Sequence, residues 1–157
     1  IKCKPKFVCI VPEKRKEITT EGGLDLIKNL NNIKYIVERF NNKKIRTSLF
    51  INANIKNIKL SKKINTNCVE LHTGRLSNLI KNNKKYSYEL SKIKKCAKYA
   101  NLLNLEVHAG HGMDYKTCEI LSKINVIKEF NIGHFIIGES IFFGLKKVIK
   151  KFKKIIK

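Results

Sequence analysis

The segment CVELHTGR at residues 68–75 decides the fold class, because it joins a short strand pattern to a glycine turn. Val69 and Leu71 alternate with Glu70 and His72, so one side of the strand is apolar and the other is polar. The same alternation recurs in LEVHAGHG at residues 105–112 and in EFNIGH at residues 129–134. Strands of an open parallel sheet are covered on both faces and read as apolar throughout. The alternation instead favours a barrel, whose apolar side chains face an outer ring of helices while polar ones face the interior.

Strand patterns and helical stripes alternate along the whole chain, at about 30 residues per unit. Strands are predicted over residues 7–11, 47–51, 68–72, 105–109 and 130–132, and helices over residues 24–40, 54–64, 86–100, 115–124 and 145–156. This order is typical of βα repeats and a parallel sheet. We therefore predict one α/β domain over residues 1–157, a partial TIM barrel of about five βα units. The alternative is a half-exposed antiparallel sheet, although the intervening helices favour parallel connections.

The net charge of +22 raises nucleic acid as a partner, but the kind of basic residue argues against it. All but four of the 34 basic residues are lysine, and they are scattered along the chain. Specific recognition of phosphates and bases favours the bidentate guanidinium of arginine, whereas scattered lysines are usually solvated. We expect no specific nucleic-acid partner.

The sequence also bears on location. It contains no stretch of about 18 apolar residues and no signal-peptide pattern at its start. Its five cysteines include no C-x-x-C pair, which fits reduced thiols in the cytosol. We expect a soluble cytoplasmic protein without a membrane partner. The chain starts with isoleucine just before an apolar run, so we expect it to begin partway through a larger protein.

Glycines and histidines cluster where the predicted strands end, in HTGR, AGHG and NIGH. Active sites of TIM barrels lie at these ends, and exposed amides at glycine turns bind phosphate. His111 is a candidate acid or base, and Glu70 could stabilise positive charge or move a proton, unless it forms a core ion pair with lysine. We expect no metal site from His108 and His111, because alternation places His108 inside the strand and His111 beyond it, and no carboxylate-rich ligand set accompanies them.

The strings VPEKRKEITTEGGLDL, ELHTGR, VHAGHGMDY and EFNIGHFIIGESIFFGL, in this order, closely resemble the pyridoxine 5'-phosphate synthase family across essentially the whole chain. The resemblance implies a (β/α)8 barrel, a transferase that condenses 1-deoxy-D-xylulose 5-phosphate with 3-amino-2-oxopropyl phosphate. Pyridoxine 5'-phosphate, phosphate and water are the products. It implies no cofactor and a homo-oligomer, an octamer in the family.

The resemblance also implies roles for individual residues. His111 matches the proton donor, and Glu70 matches the carboxylate that stabilises the transition state. Thr19 matches a contact to the deoxyxylulose phosphate. Contacts to the aminoketone phosphate are matched by Gly112, Gly133 and His134.

Several departures from the family accompany these matches. The five strands correspond to the fourth to the eighth of the family barrel, so the first three strands and two proton acceptors are missing. We therefore expect no turnover by this polypeptide alone, and a noncatalytic half-barrel or a basic nucleic-acid-binding protein remain alternatives. Leu76 replaces the usual tyrosine, and Glu139 stands where arginine is frequent.

Overall fold

A computed structural model describes residues 5–12 and 22–156 of the chain. Five strands form one sheet in the order β1-β2-β3-β4-β5, and every neighbouring pair is parallel. The strands are β1 (Phe7–Ile10), β2 (Arg46–Ile51), β3 (Cys68–His72), β4 (Glu106–Gly110) and β5 (Ile127–Asn131). All five predicted strands are confirmed, with ends displaced by up to three residues. The antiparallel alternative is wrong, because the intervening helices return the chain to the same end of the sheet each time.

Seven helices accompany the sheet within the described residues. They are α1 (Leu30–Asn41), α2 (Ile55–Lys63), α3 (Gly74–Lys81), α4 (Ser87–Leu102), α5 (Tyr115–Ser122), α6 (His134–Phe143) and α7 (Leu145–Ile155). The predictions located five of them and did not place α3 or α6. Helix α3 is only eight residues long, so its apolar face spans little more than two turns. Helix α6 is apolar on almost all sides and therefore shows no stripe. None of these helices has both the length and the apolar character needed to cross a membrane.

The first predicted helix, over residues 24–40, was placed too early and begins at Leu30. Oδ1 of Asp25 accepts hydrogen bonds from the backbone N–H groups of Ile27 and Lys28, at 3.2 and 3.1 Å. Such an aspartate turn competes with the helix for backbone donors. Leu26 is therefore buried in place of Ile27, which is 59% exposed.

Four helices end through a residue of positive φ rather than through glycine. Helices α1 to α4 are followed by Lys44, Asn65, Asn83 and Asn104, with φ between 51° and 62°. Asparagine tolerates the left-handed region better than other residues with a β-carbon. The abundant asparagines thus turn the chain towards the next segment with few glycines.

The two faces of the sheet differ as the alternation predicts. Leu49, Val69, Leu71, Val107 and Ala109 are fully buried in one core with residues of α1, α2 and α4. The other face carries mostly polar side chains, among them Glu70, His108 and Asn131, although Phe50 also lies on it. Because the strand order never reverses, there is no switch point of the kind that puts helices on both faces of an open sheet.

The polar face is concave. Cys9 on β1 and Asn131 on β5 both donate hydrogen bonds to Oε2 of Glu70 on β3, at 3.3 and 2.9 Å. In a flat sheet, strands spaced by about 4.8 Å would hold these two edges roughly 19 Å apart. The sheet is therefore strongly curved, which is consistent with the wall of a TIM-like barrel.

Candidate active site

Glu70 lies at the centre of the concave face and is 7% exposed. Among the described residues its hydrogen-bond donors are the thiol of Cys9 and the amide of Asn131, and no described lysine forms an ion pair with it. Burial raises the pKa of Glu70, and the two donors oppose that rise. Burial and the neighbouring carboxylate in turn raise the pKa of Cys9 to about 12, so Cys9 remains a thiol that can donate.

Gly110 leaves the space that the Glu70 carboxylate occupies. A β-carbon at position 110 would lie 1.8 Å from Oε1 of Glu70 and 3.3 Å from Cβ of Asn131. From the sequence, exposed backbone amides are the expected reason for the glycines of the AGHG turn. The structure shows that close approach of a side chain is the reason, because positive φ occurs instead at the next two residues.

His111 stands at the tip of the AGHG turn, directly after β4. Its φ is 78° and that of Gly112 is 72°, so two consecutive residues adopt the left-handed region. That conformation is costly for histidine and needs support from its surroundings. The support comes from Thr73, whose Oγ1 lies 2.9 Å from the carbonyl oxygen of Gly110 and 2.8 Å from that of His111. The HTGR turn therefore holds the AGHG turn in place.

The imidazole of His111 stacks on that of His72, with ring centroids 4.9 Å apart and an interplanar angle of 27°. His72 also contacts the edge of Phe50 at 5.3 Å. Burial, with a smaller contribution from His111, lowers the pKa of His72 to about 4. His72 is consequently neutral near pH 7. No local pattern predicts this pairing, because 39 positions separate the two histidines.

A cavity of about 900 Å³ opens above these residues at the carboxyl ends of the strands. It brings together five of the six predicted site residues: Glu70, His111, Gly112, Gly133 and His134. The sixth, Thr19, lies outside the described residues. Asn131 and Lys81 also line the cavity and were not predicted as site residues. Lys81 is the one lysine or arginine among the described residues of the lining, and nothing in the sequence distinguishes it from the other lysines.

The NIGH turn feeds α6, whose first turn borders the cavity through Gly133, His134 and Phe135. Gly133 has a negative φ, and a β-carbon there would meet nothing within 4 Å. Backbone amides at such a helix start can bind an anion. Neither local strain nor packing in the described structure accounts for glycine at position 133.

The two departures from the family differ in their placement. Leu76 is fully buried beside the core, away from the cavity. Glu139 on α6 lines the cavity. Burial, together with the Glu139 carboxylate, also raises the pKa of the neighbouring Tyr115. Only the second departure can therefore alter the charge that a ligand meets.

A second polar cluster lies near the amino-terminal ends of the strands. Ligand-type atoms of Cys68, Glu106 and His108 lie within 4.8 Å of one another. Nη2 of Arg46 lies 3.0 Å from Glu106 and 3.3 Å from the Cys68 sulfur, and Nε2 of His108 lies 2.9 Å from Glu106. The guanidinium thus already supplies the positive charge that these groups attract, and burial raises the pKa of Cys68 to about 11. This cluster is an ion-pair network that joins three strands, and His108 belongs to it rather than to the surroundings of His111.

Comparisons with known proteins agree on one family. A family profile described as "Pyridoxal phosphate biosynthesis protein PdxJ" matches residues 1–157. Pyridoxine 5'-phosphate synthase of Pelagibacter ubique is 64% identical over 155 residues, which cover 99% of this chain and 65% of that protein. The enzymes of the same name from Zymomonas mobilis and Ehrlichia canis are 45% and 43% identical, over 96% and 99% of this chain. The chain spans 58% and 63% of the lengths of these two.

Proposed function

This chain belongs to the PdxJ family of pyridoxal phosphate biosynthesis proteins, and on that basis we propose that it carries part of the active site of a pyridoxine 5'-phosphate synthase. Its five strands correspond to strands four to eight of a (β/α)8 barrel, and residues 1–157 form one domain. The substrates are 1-deoxy-D-xylulose 5-phosphate and 3-amino-2-oxopropyl phosphate. A cytoplasmic location and a homo-oligomer, both typical of the family, complete the proposal.

One observation carries this proposal: Glu70 and His111 share a cavity with Gly112, Gly133 and His134. These residues come from three different strand ends, which only the fold brings together. A buried carboxyl group, an imidazole and a helix start are what a reaction of amines, ketones and phosphates requires. The curved sheet and its polar concave face support the barrel assignment.

The residues would divide the chemistry by position. The start of α6, with Gly133 and His134, would bind the phosphate of the aminoketone. His111 would donate protons during the condensation and the later loss of phosphate and water. Glu70, held by Cys9 and Asn131, would face the positive charge that develops on the imine nitrogen, where a carboxylate in a partly desolvated site is most effective.

Calorimetric titration of the 157-residue chain with pyridoxine 5'-phosphate tests the proposal. His134→Ala is expected to weaken binding about tenfold, the loss of one charge-assisted hydrogen bond. Lys84→Gln is the matched control, since it removes a positive charge from an exposed loop residue that does not line the cavity.

Three results would contradict the proposal. Equal affinity of the wild type and His134→Ala would remove the phosphate site from the start of α6. A folded chain with no affinity for the product would favour the noncatalytic half-barrel. Tight RNA binding with a steep salt dependence would favour the nucleic-acid alternative.

A further inference from the structure

His72 is the last residue of β3. The resemblance to the family implies no role for His72, and His72 does not line the large cavity. It lies beside His111 on the side away from the large cavity, in a smaller pocket of about 410 Å³. Besides the two histidines, the pocket has four cationic or polar residues in its lining: Arg75, Ser77, Asn78 and Lys81. His72 is thus close to the proposed proton donor without lining the cavity in which the reaction would occur.

The His72 ring is enclosed by aromatic and backbone atoms. Phe50 meets it edge-on at 5.3 Å and 83°, and His111 stacks on it at 4.9 Å and 27°. A β-carbon at Gly74 would lie 2.8 Å from Cδ2 of His111 and 2.9 Å from Cε1 of His72. The two imidazoles are therefore packed together over a glycine, with little room for either ring to rotate.

The charge state of His72 suits it to this position. Because burial lowers its pKa to about 4, it carries no proton in the range where an ordinary histidine titrates. The charged or titratable groups around it are His111, Glu89, Arg75 and Lys81. A second imidazolium would repel a protonated His111, whereas a neutral aromatic face attracts a cation.

We propose that His72 is a positioning residue for His111: its ring provides the flat surface on which the His111 imidazole stacks and is oriented. This inference rests on the proposed function, in which His111 donates protons. Phe50 fixes the far side of the pair, and Gly74 allows the two rings to approach. In this proposal the nitrogen atoms of His72 take no part in orienting the His111 imidazole.

Two substitutions of similar volume test whether the flat aromatic face of His72 or only its bulk influences His111. His72→Phe keeps an aromatic face without nitrogen, and His72→Leu removes the face. The readout is the NMR titration of the His111 ring in the 157-residue chain, assigned with His111→Asn. In His72→Leu the midpoint of this titration is expected to fall by about half a pH unit, the loss of a weak cation–π contact. In His72→Phe it is expected to stay within about 0.2 units of the wild type.

An unchanged midpoint of the His111 titration in His72→Leu overturns the proposal. A midpoint that falls as far in His72→Phe as in His72→Leu also overturns it, because the nitrogen atoms of His72 and not its flat face would then influence His111. If His72→Leu does not fold, Gly74→Ala decides, because its β-carbon separates the same two rings. An unchanged midpoint in that variant also overturns it. Failure of the proposed function appears separately, as loss of product binding by the wild type.

Discussion

The neutral state of His72 predicts that the protein loses stability between about pH 6.5 and pH 4. An unfolded histidine takes up a proton near pH 6.5, whereas burial holds the pKa of His72 at about 4 in the folded chain. Between these values the unfolded state binds more protons than the folded state. The free energy of unfolding therefore falls as the pH falls.

The size of this loss follows from the displacement of the pKa. About two pH units separate pH 6.5 from pH 4.5, and each unit corresponds to about 1.36 kcal/mol, which sets a ceiling near 2.7 kcal/mol. His72 is only partly buried, so solvent screening reduces this value. We expect about 1.5 kcal/mol, a substantial part of the stability of a typical domain.

Urea unfolding of the wild type and of His72→Phe at pH 7.5 and pH 4.5 measures this effect. Other titrating groups, such as Glu70 with its raised pKa, are present in both proteins and largely cancel in the difference. On acidification the wild type should lose about 1.5 kcal/mol more than the variant. An equal loss in both proteins would refute the reasoning, because His72 would then take up its proton as readily when folded as when unfolded.

Two further predictions concern the carboxylate and the thiols. Gly110→Ala places a β-carbon 1.8 Å from Oε1 of Glu70. We therefore expect the free energy of unfolding to fall by about 1–3 kcal/mol. We also expect product binding to weaken. Urea unfolding and calorimetry measure these two effects. Gly138→Ala is the stability control, because its β-carbon meets nothing within 4 Å. A Gly110→Ala protein with the stability and the product affinity of the wild type would contradict the prediction. Burial also raises the pKa of four thiols, three of which (Cys9, Cys68 and Cys118) reach about 11 or 12. Labelling of these three by a disulfide reagent at pH 8, followed peptide by peptide, should therefore be about 100-fold slower in the folded than in the unfolded chain. Rapid labelling of the folded protein would count against this at Cys9, Cys68 and Cys118.

Features that depend on neighbouring residues could be predicted from the sequence. The strand at residues 68–72 was located without error because alternation of apolar and polar residues is a local signal. The early placement of α1 shows the limit of such signals, since one aspartate side chain outweighed a regular apolar spacing. Helix α6 shows another limit, because an apolar helix has no periodicity to detect.

The sequence by itself determined the alternating α/β plan, the polar face of the sheet and the identity of the residues that gather at the strand ends. These follow from periodicity and residue type, which act over a few positions. The tertiary structure alone decided that Cys9 and Asn131, each 61 positions from Glu70, donate to the same oxygen. It also decided that His72 stacks on His111 across two turns. Such contacts depend on the curvature of the sheet and the space left by Gly74 and Gly110, and no local pattern encodes either.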